Sequence, residues 1–303
     1  MNAVQIRGYG GTEVLDVKDN VPPPISPKGQ VLVDVHAAGI NPFDIKVLSG
    51  AYKDMIPLQF PVTVGGDFAG VVTATGQEVY GSAIVLSGGS GAFAQYACAV
   101  SGKIAPKPKV ANFIEAAALP VAGLTAVEAI HDSLKLQKSQ KILIHGGAGG
   151  VGHIAIQVAK SVGAYVITTV HGRDREFVRG LGADEVIDYS RGAFEERVED
   201  LDAVLNCVGA QVTEKSYTVL KSGGRMVLLA DSGDEALAKK HGITVIRQQS
   251  TIDTAHLKRL SQLVDGGKIK VHVDRVFPLE KIRDAFNHLQ TGHPRGKVVL
   301  AIR

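Results

Sequence analysis

The sequence predicts an α/β protein in which a doubly wound parallel sheet is inserted into a barrel-like β-domain. Its 303 residues are enough for about two domains. Strand-like runs dominate roughly the first third of the chain, and from Lys141 onward short apolar runs alternate with helical stretches. The last strand-like run, Lys297–Ile302, has no helix after it and is expected to return to the first domain. The expected domain limits are 1–115 with 266–303 for the barrel and 116–265 for the parallel sheet.

Composition and charge are those of an ordinary soluble globular protein. The net charge is only +3 and the basic residues are scattered, so neither nucleic acid nor an anionic membrane is an expected partner. The two cysteines, Cys98 and Cys207, are far apart without a CxxC partner, which excludes a disulfide framework and a cysteine zinc site. Because Met1–Asn20 lacks a signal-peptide core and no apolar run reaches about 18 residues, we expect a cytoplasmic protein.

The strands of the first domain are recognised by alternation. In Gln30–His36 every second residue is a valine, which makes one face apolar, and Phe68–Ala74 and Phe93–Val100 read as further strands. Between residues 113 and 132 apolar residues return at helical spacing. Pro120 is expected to divide this stretch into two helices that lead into the second domain.

Six apolar runs predict the strands of the parallel sheet, whose ligand is expected over their carboxyl ends. The runs are Ile142–Ile144, Tyr165–Val170, Val186–Ile187, Ala203–Val208, Met226–Ala230 and Ile243–Ile246. Two amphipathic helices follow after Thr254. Their apolar faces carry Leu257, Leu260, Leu263 and Val264, and Leu279, Ile282, Phe286 and Leu289.

A glycine-rich turn between the first of these strands and the next helix is the strongest local motif. Its glycines fit G-x-G-x-x-G, the fingerprint of dinucleotide-binding (Rossmann) domains. They allow a tight turn, close approach of a pyrophosphate and close packing of helix on strand, while the helix start offers free N–H groups. The surrounding strand and helix favour a cofactor site over a merely flexible turn. The segment consists of Gly147, Ala148, Gly149, Gly150, Val151 and Gly152.

The residues after the second strand favour NADPH over NADH. An NAD-preferring sheet normally ends this strand in an acid that bonds the ribose 2′-OH, but here Val170 is followed by His171 and, two residues on, by Arg173. With no carboxylate to repel a 2′-phosphate, the planar guanidinium of Arg173 can grip it and His171 can add a donor. The alternative for Arg173 is one more solvated charge beside Asp174.

Six motifs, spread over nearly the whole chain, occur in the order known from one family. They are AAGINPFDIKVLSGAY (Ala37–Tyr52), FPVTVGGDFAGVV (Phe60–Val72), AALPVAGLTAVEAI (Ala117–Ile130), KILIHGGAGGVGHIAIQVAKSVG (Lys141–Gly163), LGADEVIDY (Leu181–Tyr189) and RGKVVL (Arg295–Leu300). With them the chain resembles the medium-chain dehydrogenase/reductase superfamily, and within it the zinc-independent quinone oxidoreductases and alkenal reductases related to zeta-crystallin. The resemblance implies a GroES-like barrel domain and a Rossmann domain that binds NADPH.

The chain departs from this family in one loop. Relatives place a longer segment between the strand that ends at Val72 and the turn at Val79, where this sequence has only Thr73–Glu78. Either a barrel loop has been shortened or residues are missing from the sequence.

The metal ligands of the related alcohol dehydrogenases are absent from the matching positions. Those enzymes hold a catalytic zinc with Cys, His and acidic side chains, whereas this chain has Asn41 and Pro42 in the first loop and Gly65-Gly66-Asp67 in place of Gly-His-Glu. Without thiolate or imidazole, Asp67 alone cannot form a zinc site. We therefore expect no metal, and Asp67 is more simply read as a cap for backbone N–H groups in a turn.

Further cofactor contacts follow from the resemblance and from the strand ends. Pro42 and Thr125 match residues beside the nicotinamide, and Tyr189 matches a tyrosine beside the 2′-phosphate. Arg295 and Lys297 match cofactor-side residues, although a charged terminal turn is a close alternative. The ends of the fourth and fifth strands are expected to line the cofactor cleft; these residues are Cys207, Val208, Gly209, Leu229 and Ala230.

The expected chemistry is hydride transfer to the electron-poor carbon of a quinone or an enone, because no residue pair resembles a nucleophile with its base. Without zinc, the substrate oxygen needs a hydrogen-bond donor, and Asn41 is the first candidate, with an Asx turn as its alternative. Asp44 could orient Asn41, or form an ion pair with Lys46. Tyr52 is a candidate proton donor or a ring that stacks on the substrate.

Two other functions stay open at this point. One is an enoyl-type reductase with a carrier-bound substrate; the other is an NADPH-binding protein without important turnover, as in recruited lens crystallins. RNA binding is disfavoured because the chain has no basic stripe. Relatives pair the strand that corresponds to 243–248 across a two-fold axis, so we expect a homodimer.

Overall fold

The protein divides into two compact units. The computed structural model describes residues 1–291 and 293–303. The first unit consists of Met1–Val121, Thr251–Gly267 and Val271–Arg303, and the second of Ala122–Ser250 and Lys268–Lys270. The second unit is therefore inserted into the first along the chain, as the predicted fold class requires. Over the described residues, no helix is both long and apolar enough to cross a membrane.

The first unit is built on two mostly antiparallel sheets. Strands β1 (Ala3–Ile6), β2 (Asp16–Lys18) and β4 (Val62–Thr63) form one sheet in the order β2-β1-β4. The other contains β3 (Gln30–Ile40), β5 (Asp67–Val72), β6 (Glu78–Ser82), β7 (Tyr96–Val100), β8 (Ile104–Pro106), β15 (Val273–Pro278) and β16 (Lys297–Ala301). Its order is β15-β16-β3-β5-β6-β8, with β7 also paired to β3.

Strand β3 is the centre of this unit. It runs beyond the predicted end at His36 because the next residues, Ala37–Ile40, are buried on both faces and so lose the alternation that marks a half-exposed strand. At Gly39 a Cβ atom would lie 2.3 Å from the carbonyl oxygen of Ala117, so only glycine fits under the neighbouring helix. The last strand, β16, pairs with β3, which confirms that it returns to the barrel.

The helices of the first unit are α1 (Pro42–Leu48), α2 (Phe113–Ala117), α8 (Thr254–Asp265) and α9 (Ile282–Thr291). Helix α3 (Pro120–Glu128) begins at the predicted break, because proline fits the first turn of a helix but not its interior. The domain limit expected at residue 265 would place α8 in the parallel-sheet domain. The structure instead places α8 in the first unit. The Tyr80 hydroxyl donates to Leu257 O at 2.6 Å, and the Thr254 hydroxyl to Ile104 O at 2.8 Å.

The short loop after β5 joins β5 and β6 into a β-hairpin. Strands β5 and β6 pair antiparallel with Val71 opposite Glu78. The turn between them is held by the N–H of Gly76, which donates to Val72 O at 2.9 Å. Gly76 has a φ of +71°, a conformation that glycine adopts without strain. Thr73–Glu78 thus connects the two strands without interrupting their ladder.

The second unit is a six-stranded parallel sheet with helices along the chain between its strands. The strands are β9 (Lys141–His145), β10 (Tyr165–Val170), β11 (Glu185–Asp188), β12 (Leu201–Asn206), β13 (Leu220–Leu228) and β14 (Thr244–Arg247), in the order β11-β10-β9-β12-β13-β14. The helices are α4 (Gly152–Val162), α5 (Arg175–Gly180), α6 (Ala210–Val219) and α7 (Glu235–His241). Each predicted apolar run corresponds to one strand, which confirms the doubly wound parallel sheet.

Candidate functional site

The glycine-rich loop between β9 and α4 leaves no room for side chains at two of its positions. A Cβ atom at Gly147 would lie 2.0 Å from Thr168 Oγ1, and one at Gly152 would lie 2.2 Å from Gly146 O. At Gly149 the nearest atom would be 3.4 Å away, so the backbone there is open. Bare backbone at the start of a helix is what a pyrophosphate requires, and the loop fits a dinucleotide.

A buried histidine, His145, ends β9 and directly precedes this loop. The hydroxyl of Ser216 donates to Val212 O at 2.7 Å, so its oxygen accepts from His145 Nε2 at 3.1 Å. In the neutral ring, Nδ1 then accepts from the Thr169 hydroxyl at 3.1 Å. Burial lowers the pKa of His145 to about 4, so the ring stays neutral at physiological pH.

The residues expected at a 2′-phosphate converge at the ends of β10 and β11. His171 Nδ1 accepts from the backbone N–H of Arg173 at 3.3 Å, and the rings of His171 and Tyr189 lie 6.1 Å apart, edge to face. The side chains of Arg173 and Tyr189 are about half exposed. The structure thus brings together the three residues that sequence proposed from two separate segments.

No carboxylate was expected at this place from the sequence, but the structure has one there, together with a second arginine that was also missed. Asp188 ends β11, and a Cβ atom at Gly172 would lie 2.3 Å from its Oδ2 atom. Its Oδ1 atom accepts from the hydroxyl and N–H of Ser190 at 2.6 and 3.0 Å, which lowers the pKa of the carboxyl. Arg191 Nε lies 3.4 Å from Oδ2. The consecutive residues Asp-Tyr-Ser-Arg at 188–191 are the sequence feature that could have indicated this carboxylate and arginine.

The residues after β12 form a turn organised by Asn206, which sequence reasoning also missed. Its Oδ1 atom accepts from the N–H groups of Val208 at 2.9 Å and Gly209 at 3.0 Å, and its Nδ2 donates to Gly209 O at 3.0 Å. Val208 is exposed and lies beside the glycine loop, since a Cβ atom at Gly146 would be 3.0 Å from its Cγ2. Burial raises the pKa of the Cys207 thiol to about 12, so it stays protonated.

Four other predicted cofactor residues, Leu229, Ala230, Thr125 and Arg295, have defined positions. Ala230 follows Leu229, whose N–H donates to Asn206 O at 3.2 Å, so the ends of β12 and β13 lie together. Thr125 is buried, and its hydroxyl oxygen accepts from Ser250 Oγ at 2.8 Å. Arg295 belongs to the first unit, where its N–H donates to Asp274 Oδ1 at 3.2 Å.

The candidate catalytic residue Asn41 lies in a buried polar cluster of the first unit. Asn41 follows β3, is extended because it precedes Pro42, and caps α1, in which the proline takes the first position. Its Nδ2 donates to Asp67 Oδ2 at 2.9 Å, and its Oδ1 accepts from Lys297 Nζ, which also donates to Ile40 O at 2.9 Å. Four side chains, those of Asn41, Asp44, Asp67 and Lys297, form this cluster and are 4%, 5%, 0% and 3% exposed.

The two carboxyl groups of the cluster are held by backbone N–H groups as well. Asp44 Oδ2 accepts from the N–H of Asn41 at 2.7 Å, and Asp67 Oδ2 accepts from the N–H of Val121, in the first turn of α3, at 3.1 Å. Asp67 Oδ1 is buried and has no hydrogen-bond partner among the residues that the structure describes. Tyr52 lies nearby in sequence, and its ring centroid is 5.2 Å from that of Phe43 in α1.

Burial dominates the electrostatics of the cluster. It raises the pKa of Asp44 to about 7, although the N–H of Asn41 opposes the shift, and it raises the pKa of Asp67 to about 6 against the opposing charge of Lys297. The pKa of Lys297 is lowered by burial and held up by the two carboxylates. One ammonium group therefore interacts electrostatically with two buried acids, whose pKa values are raised by burial.

These residues do not fit a zinc ion. The positions that match zinc ligands hold an amide and one carboxylate, and the Lys297 ammonium already donates to the amide oxygen. Within the part of the chain that the structure describes, no three His, Cys, Asp or Glu side chains are grouped so that they could hold a metal.

Comparisons with known proteins agree with this geometry. Residues 27–109 match the alcohol dehydrogenase GroES-like domain, and residues 181–300 match the zinc-binding dehydrogenase family. The chain is 35% identical to 2-methylene-furan-3-one reductase of Solanum lycopersicum over 99% of its own length and 79% of the relative's. It is 34% identical, with the same coverage, to an NADPH-dependent alkenal/one oxidoreductase, chloroplastic, of Arabidopsis thaliana.

Solved structures show the same similarity. The quinone oxidoreductase from Coxiella burnetii superposes with a TM-score of 0.89 at 33% identity, covering 100% of this chain and 99% of that one. The Escherichia coli quinone oxidoreductase complexed with NADPH superposes with a TM-score of 0.88 at 26% identity and full coverage of both chains. The chain belongs to the medium-chain dehydrogenase/reductase superfamily, a superfamily of oxidoreductases, and groups there with the quinone oxidoreductases and alkenal reductases.

Proposed function

We propose that the protein is an NADPH-dependent, zinc-independent reductase that transfers a hydride to quinones or α,β-unsaturated carbonyls. One observation carries the proposal. Asn41, whose side-chain amide is held by Lys297 and Asp67, occupies the position at which zinc-dependent relatives have a metal ligand. The names of the relatives, a furanone reductase and an alkenal/one oxidoreductase, support the same substrate class.

The second unit provides the cofactor site. Backbone N–H groups of the loop between β9 and α4 bind the pyrophosphate, and Arg173, His171 and Tyr189 bind the 2′-phosphate. When bound, NADPH supplies the hydride from its nicotinamide C4. Thr125 and the ends of β12 and β13 complete the contacts. The cofactor contacts expected from the first unit, at Pro42, Arg295 and Lys297, stay predictions.

The first unit provides the hydrogen bond to the substrate oxygen. Nδ2 of Asn41 gives one hydrogen to Asp67, and its second hydrogen is the candidate donor for the oxygen that gains negative charge. Asp44 accepts the backbone N–H of Asn41 at 2.7 Å and so holds the start of α1. Tyr52 is the candidate proton donor or stacking ring.

The test is oxidation of NADPH with a panel of quinones, enals and enones, followed at 340 nm. We expect turnover with at least one member and a lower KM for NADPH than for NADH. Turnover only with carrier-bound acyl substrates would favour the enoyl-type reductase. Tight NADPH binding without oxidation by any compound would favour the binding protein without turnover, and a clear preference for NADH would contradict the assignment of Arg173.

The proposed assembly is a homodimer through residues 243–248. Strand β14 is the edge strand of the six-stranded sheet, and Val245 and Ile246 are only partly buried. An unpaired edge with apolar side chains favours pairing with a second copy. Light scattering should give twice the chain mass, and a monomer would contradict it. A cytoplasmic location stays a prediction, since several relatives are named chloroplastic or mitochondrial; imaging of a tagged chain in its own cells tests it.

A further inference from the structure

Lys297 places a positive charge at the end of β3, inside the first unit. Its ammonium donates to Ile40 O at 2.9 Å and to Asn41 Oδ1, and the side chain is 3% exposed. The negative charges of two buried carboxylates, Asp67 and Asp44, favour the charged form of Lys297 and raise its pKa against the effect of burial. Burying an ammonium is costly unless it is paired and hydrogen-bonded. The cluster is therefore built to keep a cation at this position.

These contacts determine which way the Asn41 amide points. An ammonium group can only donate, so the amide atom that it faces must be the oxygen. The opposite atom, Nδ2, donates to the carboxylate of Asp67 at 2.9 Å. A flipped amide would turn N–H toward Lys297 and oxygen toward Asp67, which is unfavourable at both ends. The second hydrogen of Nδ2, which neither neighbour uses, has a fixed direction.

The cation also changes the strength of this donor. A positive charge on an amide oxygen draws electron density toward the oxygen, and hydrogen-bonded groups in a row polarise each other. The Lys297 contact makes the Nδ2 hydrogens of Asn41 more acidic, whereas the Asp67 carboxylate on the same nitrogen opposes this effect.

We propose that Lys297 is a positioning residue: it orients the Asn41 amide and polarises the second N–H of Nδ2, which is the proposed donor to the substrate oxygen. This inference rests on the proposed function only for its kinetic part. It assigns Lys297 to Asn41 instead of to the cofactor, and it explains why a lysine is buried among residues at former metal-ligand positions.

The experiment compares the wild type with Lys297→Met and with the double variant Asp67→Asn/Lys297→Met. Methionine keeps most of the length of the side chain but removes the ammonium. The single variant leaves two buried carboxylates without a cation and should unfold at a lower temperature. The double variant loses one positive and one negative charge, so its cluster has the same formal charge as the wild type, and it should recover most of the lost thermal stability.

The activity of the two variants separates positioning from structural support. We expect kcat to fall about tenfold to a hundredfold in both, because Asn41 has lost its cation in both. The Kd of NADPH, measured by fluorescence titration, should stay within about twofold of the wild type. Recovery of kcat together with stability in the double variant would show a structural role only. A Kd that rises in parallel with the loss of kcat would show a cofactor contact. Either result overturns the proposal.

A readout without turnover keeps the inference separate from the proposed function. Protein labelled with ¹⁵N-asparagine gives side-chain amide signals, of which that of Asn41 is assigned by its loss in Asn41→Ser. We expect its hydrogens to move upfield in Lys297→Met, in which the Asp67 carboxylate is unchanged, because the polarising charge is gone. An unchanged signal overturns the inference. If the wild type reduces no quinone or enone but the signal moves, the proposed function fails and the role of Lys297 toward Asn41 stands.

Discussion

His145 Nε2 lies 3.1 Å from the hydroxyl oxygen of Ser216, and this buried contact fixes the tautomer of the ring. The histidine is neutral in the folded protein because burial lowers its pKa to about 4, and its Nδ1 atom then accepts from the Thr169 hydroxyl. A histidine that is neutral when folded but protonated in the unfolded chain makes the stability of the fold depend on pH, because the two states bind different numbers of protons.

The first prediction concerns this dependence. Burial lowers the folded-state pKa of His145 from 6.5 to about 4, so the unfolded chain binds more protons than the folded one between these values. Stability contributed by the neutral ring is present above pH 6.5 and is lost as the pH falls, by about 3 kcal/mol at pH 4. His145→Gln, which does not titrate, is the reference. Urea unfolding at several pH values should show the wild type losing more stability than this variant on acidification; parallel curves would contradict the assignment.

The second prediction separates the two roles of the loop glycines. In Gly152→Ala the new Cβ atom meets Gly146 O at 2.2 Å, so α4 must shift and the unfolding free energy should fall by about 1–3 kcal/mol. In Gly149→Ala the nearest atom is 3.4 Å away, so stability should hold. A methyl group there stands where backbone meets the pyrophosphate, and the Kd of NADPH should rise about tenfold. Calorimetry and NADPH titration of both variants check this, and equal melting temperatures would refute it.

The third prediction tests the 2′-phosphate contact. Arg173→Ala should raise the KM for NADPH by about tenfold to a hundredfold, because a charge-assisted hydrogen bond to phosphate is lost, and leave the KM for NADH nearly unchanged. Arg179→Ala is the matched control: Arg179 is also about half exposed and makes an ion pair with Glu176 at 3.3 Å. Equal effects of Arg173→Ala on both cofactors would place the 2′-phosphate elsewhere.

The fourth prediction concerns the attachment of α8. The Tyr80 hydroxyl donates to Leu257 O at 2.6 Å and accepts from Ser261 Oγ at 3.1 Å, and burial raises its pKa. Tyr80→Phe leaves a buried carbonyl oxygen without this donor and should cost about 1–3 kcal/mol of unfolding free energy. Tyr165→Phe removes an exposed contact to Glu185 at 2.6 Å and should cost less than about 1 kcal/mol. Urea denaturation of both proteins compares the two costs.

Features that depend on neighbours along the chain were predictable from the sequence. Alternation revealed Gln30–His36, apolar runs revealed the six parallel strands, and Pro120 marked a helix start, because each pattern is written in a few consecutive residues. The glycine fingerprint was readable for the same reason. An amphipathic pattern shows which face of α8 is apolar but not which partner covers it, so the pattern could not place this helix in the first unit.

Features that depend on distant partners were not predictable. In the sequence, His145 is an ordinary residue at the end of a strand. Its role depends on Ser216, which lies 71 residues later in the chain. The role of Asn206 depends on the turn that it holds, and that of Asp188 on Gly172, which lies in the turn after the neighbouring strand β10. Asn41 was proposed as a donor from its loop alone, whereas its orientation comes from Lys297 and Asp67, which no local pattern connects to it.

The position of β16 has a consequence for biosynthesis. This strand lies between β15 and β3 in the barrel sheet, and Lys297 at its start reaches an asparagine 256 positions earlier in the chain. On the ribosome, β3 emerges long before its partner exists, while the inserted parallel sheet can form from contiguous sequence. Until residues 297–301 are made, the edge of β3 at Ala37–Ile40 stays open, and the carboxylates at its end have no counter-cation. The nascent barrel is therefore the part of this protein that most needs protection from aggregation.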